Sequence, residues 1–107
     1  MNIEKRYYFF EYKRYPAVRR LLRYWADNKK WYKIKKARRF FSKYNFYLSK
    51  FNQMSDICCR RFSFKLLKCE FQKRLEDLKG LSDCEKNTLN NYIVARWRDY
   101  YWRRKDE

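Results

Sequence analysis

The chain has 107 residues, no histidine, and 29 Lys plus Arg against 12 Asp plus Glu, a net charge of +17. That length suits one small domain, here taken as residues 1–107. Hydrophobic residues at 46% and aromatics at 22% exclude a simple basic tail, which lacks the rings needed to build a core. Gly80 is the only glycine and Pro16 the only proline, so the frequent turns of an all-β fold are not encoded and a few long helices are expected.

Residues 1–15 fit a short helix or a loosely attached arm. Asn2 can cap, and Ile3, Tyr7 and Phe10 have helical spacing. Tyr15 precedes Pro16 and is biased away from the helical region, so a break falls there. Pro16 then suits the first turn of a helix with Val18, Leu21, Leu22 and Trp25 on one stripe and Arg19, Arg20 and Arg23 on another. At Asp27-Asn28 a short break is expected, with Asp27 able to cap a helix from about Lys29 to Asn52. In that helix Ile34, Ala37, Phe41, Tyr44, Leu48 and Phe51 recur at three and four, which defines a core-facing stripe. Lys29, Lys33, Lys36, Lys43 and Lys50 follow a neighbouring path, with Lys30, Lys35, Arg38 and Arg39 beside it. No acid occurs over the 28 residues from Asn28 to Ser55.

Asp56 or Ser55 can cap the next helix. Its apolar residues Ile57, Phe64, Leu67, Phe71, Leu75 and Leu78, widened by Phe62, Leu66 and Cys69, predict a central element touched on two sides. Gly80 after Lys79 fits the left-handed position past a helix end. Ser82 and Glu85 form a capping box with Leu81 as its hydrophobic staple. The last helix should bury Leu89, Ile93, Trp97 and Tyr100 and run into the basic aromatic end Tyr101-Trp102-Arg103-Arg104-Lys105. The fold class is therefore all-α: a bundle of four helices, or five with the amino-terminal segment, containing an antiparallel hairpin that turns at Gly80.

Catalysis is not expected. Without histidine the commonest general base and metal ligand is absent, and one glycine cannot make a glycine-rich phosphate loop. Cys58, Cys59, Cys69 and Cys84 have no metal-ligand spacing. They read as reduced, buried small hydrophobes of a cytoplasmic protein, with Cys58 or Cys59 near Arg60 and Arg61 as the one candidate activated thiol. Glu70, Glu76, Asp77, Asp83 and Glu85 read as solvated ion-pair partners, Glu70 with Lys73 or Arg74 and Glu76 with Lys79. A helix-turn-helix at 78–82 is disfavoured, because Asp83 and Glu85 would face phosphate. No cofactor or metal is expected. The longest apolar run is four residues, so neither a signal peptide nor a membrane span is expected.

Charge is the informative feature. Residues 1–54 hold 16 basic and 3 acidic side chains, a net of +13, and residues 55–107 a net of +4. A solvated helix face usually mixes signs; this one does not. Cations attract phosphate backbones, and exposed rings can stack on bases. The expected partner is nucleic acid, DNA or RNA. The expected site is Arg19, Arg20, Arg23, Lys29, Lys30, Lys33, Lys35, Lys36, Arg38, Arg39 and Lys43, with Tyr32, Tyr47, Tyr101, Trp102, Arg103 and Arg104. A second reading is a small phage or mobile-element protein that inhibits or modulates a nucleic-acid enzyme or ribonucleoprotein. A third is a component of a virion or ribosome-like assembly. A membrane-surface role ranks below these.

Overall fold

The computed structural model describes residues 12–103, without the side chains of Trp102 and Arg103. Among the described residues it is all-helical: α1 (Pro16–Asp27), α2 (Trp31–Asn52), α3 (Ile57–Glu76) and α4 (Asp83–Arg103). Of the short helix or arm expected over residues 1–15, residues 1–11 lie outside the described residues, as do Arg104 and Lys105, while 12–15 are not helical.

The chain enters through a turn at Tyr12–Arg14, where the Tyr15 N–H donates to the Tyr12 carbonyl at 3.0 Å. Pro16 opens α1, where its missing N–H costs nothing. Asp27 does not cap α2. It is the last residue of α1, and the stop is a carboxyl-terminal motif instead. Lys29 takes a left-handed φ of 57°. Its N–H donates to the Ala26 carbonyl at 3.1 Å, and the Lys30 N–H to the Trp25 carbonyl at 2.7 Å. These two bonds satisfy carbonyls that the helix end would strand, which is the Schellman arrangement with lysine where glycine is usual. Lys30 stands at the start of α2 with no side-chain cap.

The connection from α2 to α3 carries the expected cap. Asp56 Oδ1 accepts the Cys59 N–H at 2.9 Å. α3 ends at Glu76 and not at Lys79, closing with bonds from the Asp77 and Leu78 N–H groups to the Arg74 and Leu75 carbonyls. Gly80 therefore stands beyond the helix end, inside the turn, with φ 85°. The capping box forms as read: the Ser82 N–H donates to Glu85 Oε1 at 2.8 Å and the Glu85 N–H to Ser82 Oγ at 3.2 Å.

The hairpin at Gly80 is antiparallel. Going down α3 and up α4, the Lys86 amine meets the Glu76 carbonyl, Gln72 meets Asn90, Lys68 lies over Trp97, and Phe64 packs on Tyr100. α2 runs alongside α4 in the same direction: Lys33 reaches Glu85, Phe41 stacks near Tyr92, and the Tyr44 hydroxyl donates to the Ile93 carbonyl. α1 packs on α2 and α4 and makes no contact with α3. The four helices thus alternate up and down, with α2 and α4 on one diagonal.

The core is aromatic. Trp25, Tyr44, Phe41, Phe64 and Phe71 are fully buried, joined by Tyr12 from the entry turn. The α2 stripe is buried as expected, with Phe40 added and Phe51 half-covered. Two expectations fail. α3 is touched on two sides, by α2 and α4, but its apolar face is narrower than expected: Phe62 is 64% and Leu66 55% exposed, Ile57 and Cys69 are also exposed, and only Phe64, Leu67, Phe71 and Leu75 among its apolar residues are buried. On α4 Trp97 and Tyr100 are half-buried, while Tyr92 fills the core between Phe41, Tyr12 and Tyr15.

Candidate functional site

The acid-free helix α2 presents a continuous outer stripe. Tyr32, Lys35, Arg39, Lys43, Phe46 and Lys50 follow at spacings of three and four, and all are exposed. At a rise of 1.5 Å per residue the stripe is about 27 Å long. Its first half borders a groove of about 500 Å³ between α2 and α3. Tyr32, Lys35, Lys36, Arg39 and Lys43 line it from α2; Arg74 and Leu78 line it from α3 and the following turn; Phe40 and Phe71 form the apolar floor. No acidic side chain lines it among the described residues. Arg74 lies over the Phe71 ring at 5.1 Å and pairs with Glu70 at 3.3 Å, the ion pair expected on α3.

The groove exists because α2 and α3 meet through few large rings. Phe40, Tyr44 and Tyr47 approach Phe71 at 5.2, 5.1 and 6.4 Å. Rings hold the helices apart at one level, and the longer cations rim the space below it.

The basic residues expected to act together are divided by the fold. Lys33 is committed to structure: its ammonium pairs with both oxygens of Glu85 at 3.1 Å, and its side chain is mostly buried. Lys36 donates to the Lys79 carbonyl, so it clamps the Gly80 turn while lining the groove. The path through Lys29, Lys33 and Lys36 is therefore not the open one; the open one runs through Lys35, Arg39 and Lys43. Arg38 is half-buried and does not line the groove. Arg19, Arg20 and Arg23 are on α1, which does not touch α3, and they form a separate basic edge. Lys29 and Lys30 are exposed at the α1–α2 turn. Tyr47 is partly exposed beside the stripe. Tyr101 is no open platform: it is half-buried at the far end of the hairpin, 5.1 Å from Trp97 and with Arg61 over its ring at 5.6 Å. The side chains of Trp102 and Arg103, and all of Arg104, lie outside the described residues.

Six groove or stripe residues lay outside the expected site: Phe46 and Lys50 on α2, Arg74 and Leu78 on the facing wall, and Phe40 and Phe71 in the floor. Arg74 comes from a helix whose charges looked neutral. Phe46 was given no role, although its angular position with Arg39 and Lys43 was the available signal.

Glu85 is not a solvated partner. It accepts from the Trp25 indole, the Lys33 ammonium and the Ser82 N–H together. Burial pushes its carboxyl up, but the Ser82 N–H, the Trp25 indole and Lys33 outweigh this and hold it below its usual value. A second polar cluster joins α2 to α4 and the entry turn. Arg96 donates to Asn45 at 3.0 Å, Asn45 to the Tyr92 hydroxyl at 2.9 Å, and the Tyr15 hydroxyl to Asp99 at 3.0 Å. Burial raises the Tyr44 and Tyr15 hydroxyls above the ordinary tyrosine value, keeping them neutral donors.

The cysteines are free and exposed, not buried. Cys59 is not activated either: the Asp56 carboxylate beside it pushes its thiol up. Arg60 turns away from the thiols. It is 4% exposed and donates to the Met54 carbonyl at 3.1 Å, bracing the α2–α3 turn. Among the described residues no group of three His, Cys, Asp or Glu is placed to hold a metal ion, and no helix is long and apolar enough to cross a membrane.

No protein-family model, curated protein or solved structure matches the chain.

Proposed function

We propose that the protein binds nucleic acid through the outer stripe of α2 and the α2–α3 groove, without chemical action on it. The observation that carries this is the groove lining: the open cations Lys35, Arg39 and Lys43, joined by Lys36, which also bonds the Lys79 carbonyl, and Arg74, which also pairs with Glu70, with no acid lining it among the described residues and an aromatic floor. Phosphates pair with the cations, and release of their counterions drives the association. The separate basic edge on α1 adds long-range attraction to the same polyanion.

The test is an anisotropy titration against nucleic acid at rising salt. Affinity falls steeply, linearly on logarithmic axes. Reversal of Lys35, Arg39 and Lys43 to Glu abolishes binding while helix content is kept, because all three are exposed. Negligible binding of the parent protein at low salt sinks the reading.

A specific feature favours a second reading, in which the chain docks on a nucleic-acid enzyme or ribonucleoprotein. Phe62 and Leu66, with Cys58 and Cys69, make an apolar outer face on α3, turned away from the core. Retention of a stoichiometric protein partner after nuclease treatment, lost in Phe62→Ser with Leu66→Ser, would favour docking.

A further inference from the structure

We propose, building on the nucleic-acid reading above, that the ligand is single-stranded, with unpaired bases lying on Tyr32 and Phe46 and entering the groove while phosphates meet Lys35, Arg39 and Lys43. The inference comes from rings and cations sharing one open stripe, on which Tyr32 and Phe46 flank Lys35, Arg39 and Lys43. Tyr32 is 56% and Phe46 63% exposed, on a helix whose inner side already holds Phe40, Phe41 and Tyr44. The core does not need these two rings.

A duplex would satisfy the cations and not the rings. Its phosphates face outward, but the faces of its bases are covered by their neighbours in the stack. A single strand offers both. Each base has a free face for an aromatic ring, one phosphate away from the next cation. The groove extends the same chemistry inward. Its rim is cationic, and its floor is formed by Phe40 and Phe71, which are 7% and 1% exposed. Arg74, lying over Phe71, adds a guanidinium plane at the far wall. These contacts read ring faces and phosphates, which RNA and DNA share, so both single strands are ligands.

The experiment is fluorescence anisotropy on the full chain with three labelled probes of one mixed sequence: single-stranded DNA, single-stranded RNA and the DNA duplex. At equal salt both single strands bind about tenfold or more tightly than the duplex. Tyr32→Ala and Phe46→Ala each weaken single-strand binding about tenfold and leave duplex binding and the salt slope unchanged. Tyr32→Phe keeps the ring and keeps the affinity. Arg39→Gln lowers the salt slope for every probe. Circular dichroism melting of each variant reports whether the bundle is intact. Equal or tighter duplex binding overturns the proposal. So do aromatic variants with no effect, while Arg39→Gln still weakens binding; the parent reading then survives. Absence of binding to all three probes at low salt overturns both.

Discussion

Glu85 joins three parts of the chain that are remote in sequence. Its capping role was legible from Ser82 and Glu85 alone, because that bond is local. Its bonds to Trp25 and Lys33 were not, because they depend on where α1 and α2 come to lie. Replacing Glu85 with Gln leaves the capping geometry but removes the charge facing Lys33. We expect a loss of about 1–2 kcal/mol, read from chemical denaturation. The same residue sets an acid dependence. Its folded carboxyl is held below the ordinary value of 4.5. The stability it contributes is therefore complete above that unfolded value and is lost as pH falls through the lower folded one. Melting temperature followed from neutral into acid pH should fall less steeply in Glu85→Gln than in the parent.

At the scale of elements, α2 is both the core helix and the exposed one. Phe41 and Leu48 are essentially inaccessible, and truncation to Ala should cost about 2–5 kcal/mol each by denaturant unfolding. The exposed Lys35, Arg39 and Lys43 should cost little, so stability and binding separate on two faces of one helix. The helix ends give a sharper test. Lys29 adopts a left-handed backbone at the close of α1, and a Cβ-bearing residue there is strained by about 1–2 kcal/mol. Lys29→Gly should raise stability, net of glycine's extra freedom in the unfolded chain, by about 0.5–1 kcal/mol. Gly80→Ala should do the reverse, since φ is 85° and its turn is clamped by Lys36. A Gly80 variant as stable as the parent would mean the turn relaxes freely.

Over the whole molecule, a charge of +17 on 107 residues works against the compact state. Added salt screens that repulsion, so thermal stability should rise with ionic strength while affinity for polyanions falls. Nucleic acid bound to the folded form should raise the melting temperature at low salt and cease to do so at high salt. A thermal shift series across salt, with and without oligonucleotide, measures both trends. Parallel curves would show that the oligonucleotide does not stabilise the folded form through salt-sensitive contacts. The position of α1 decides which cations act together. Because it lies on α2 and α4, its arginines form their own edge, and among the described residues no helix covers the groove between α2 and α3.

The helices, most of their boundaries, the hairpin, the capping box and the α2 core stripe were legible from the residues alone. Each follows from periodicity or from bonds spanning a few residues. The sequence also marked α2 as the basic element, since charge needs no fold to be counted. Which charges are open depends on how the four helices pack. Lys33 and Lys36 look like Lys35 in sequence, but Glu85 and the Lys79 carbonyl take them up. The packing also left Phe62, Leu66 and Phe46 outside, because among the described residues no layer lies beyond α3 and the outer side of α2 to cover them. A periodic apolar residue reveals that a helix could bury it; the number and placement of neighbouring helices settle whether it does. That is why the stripe of rings and cations on α2 emerges only once the four helices are in place.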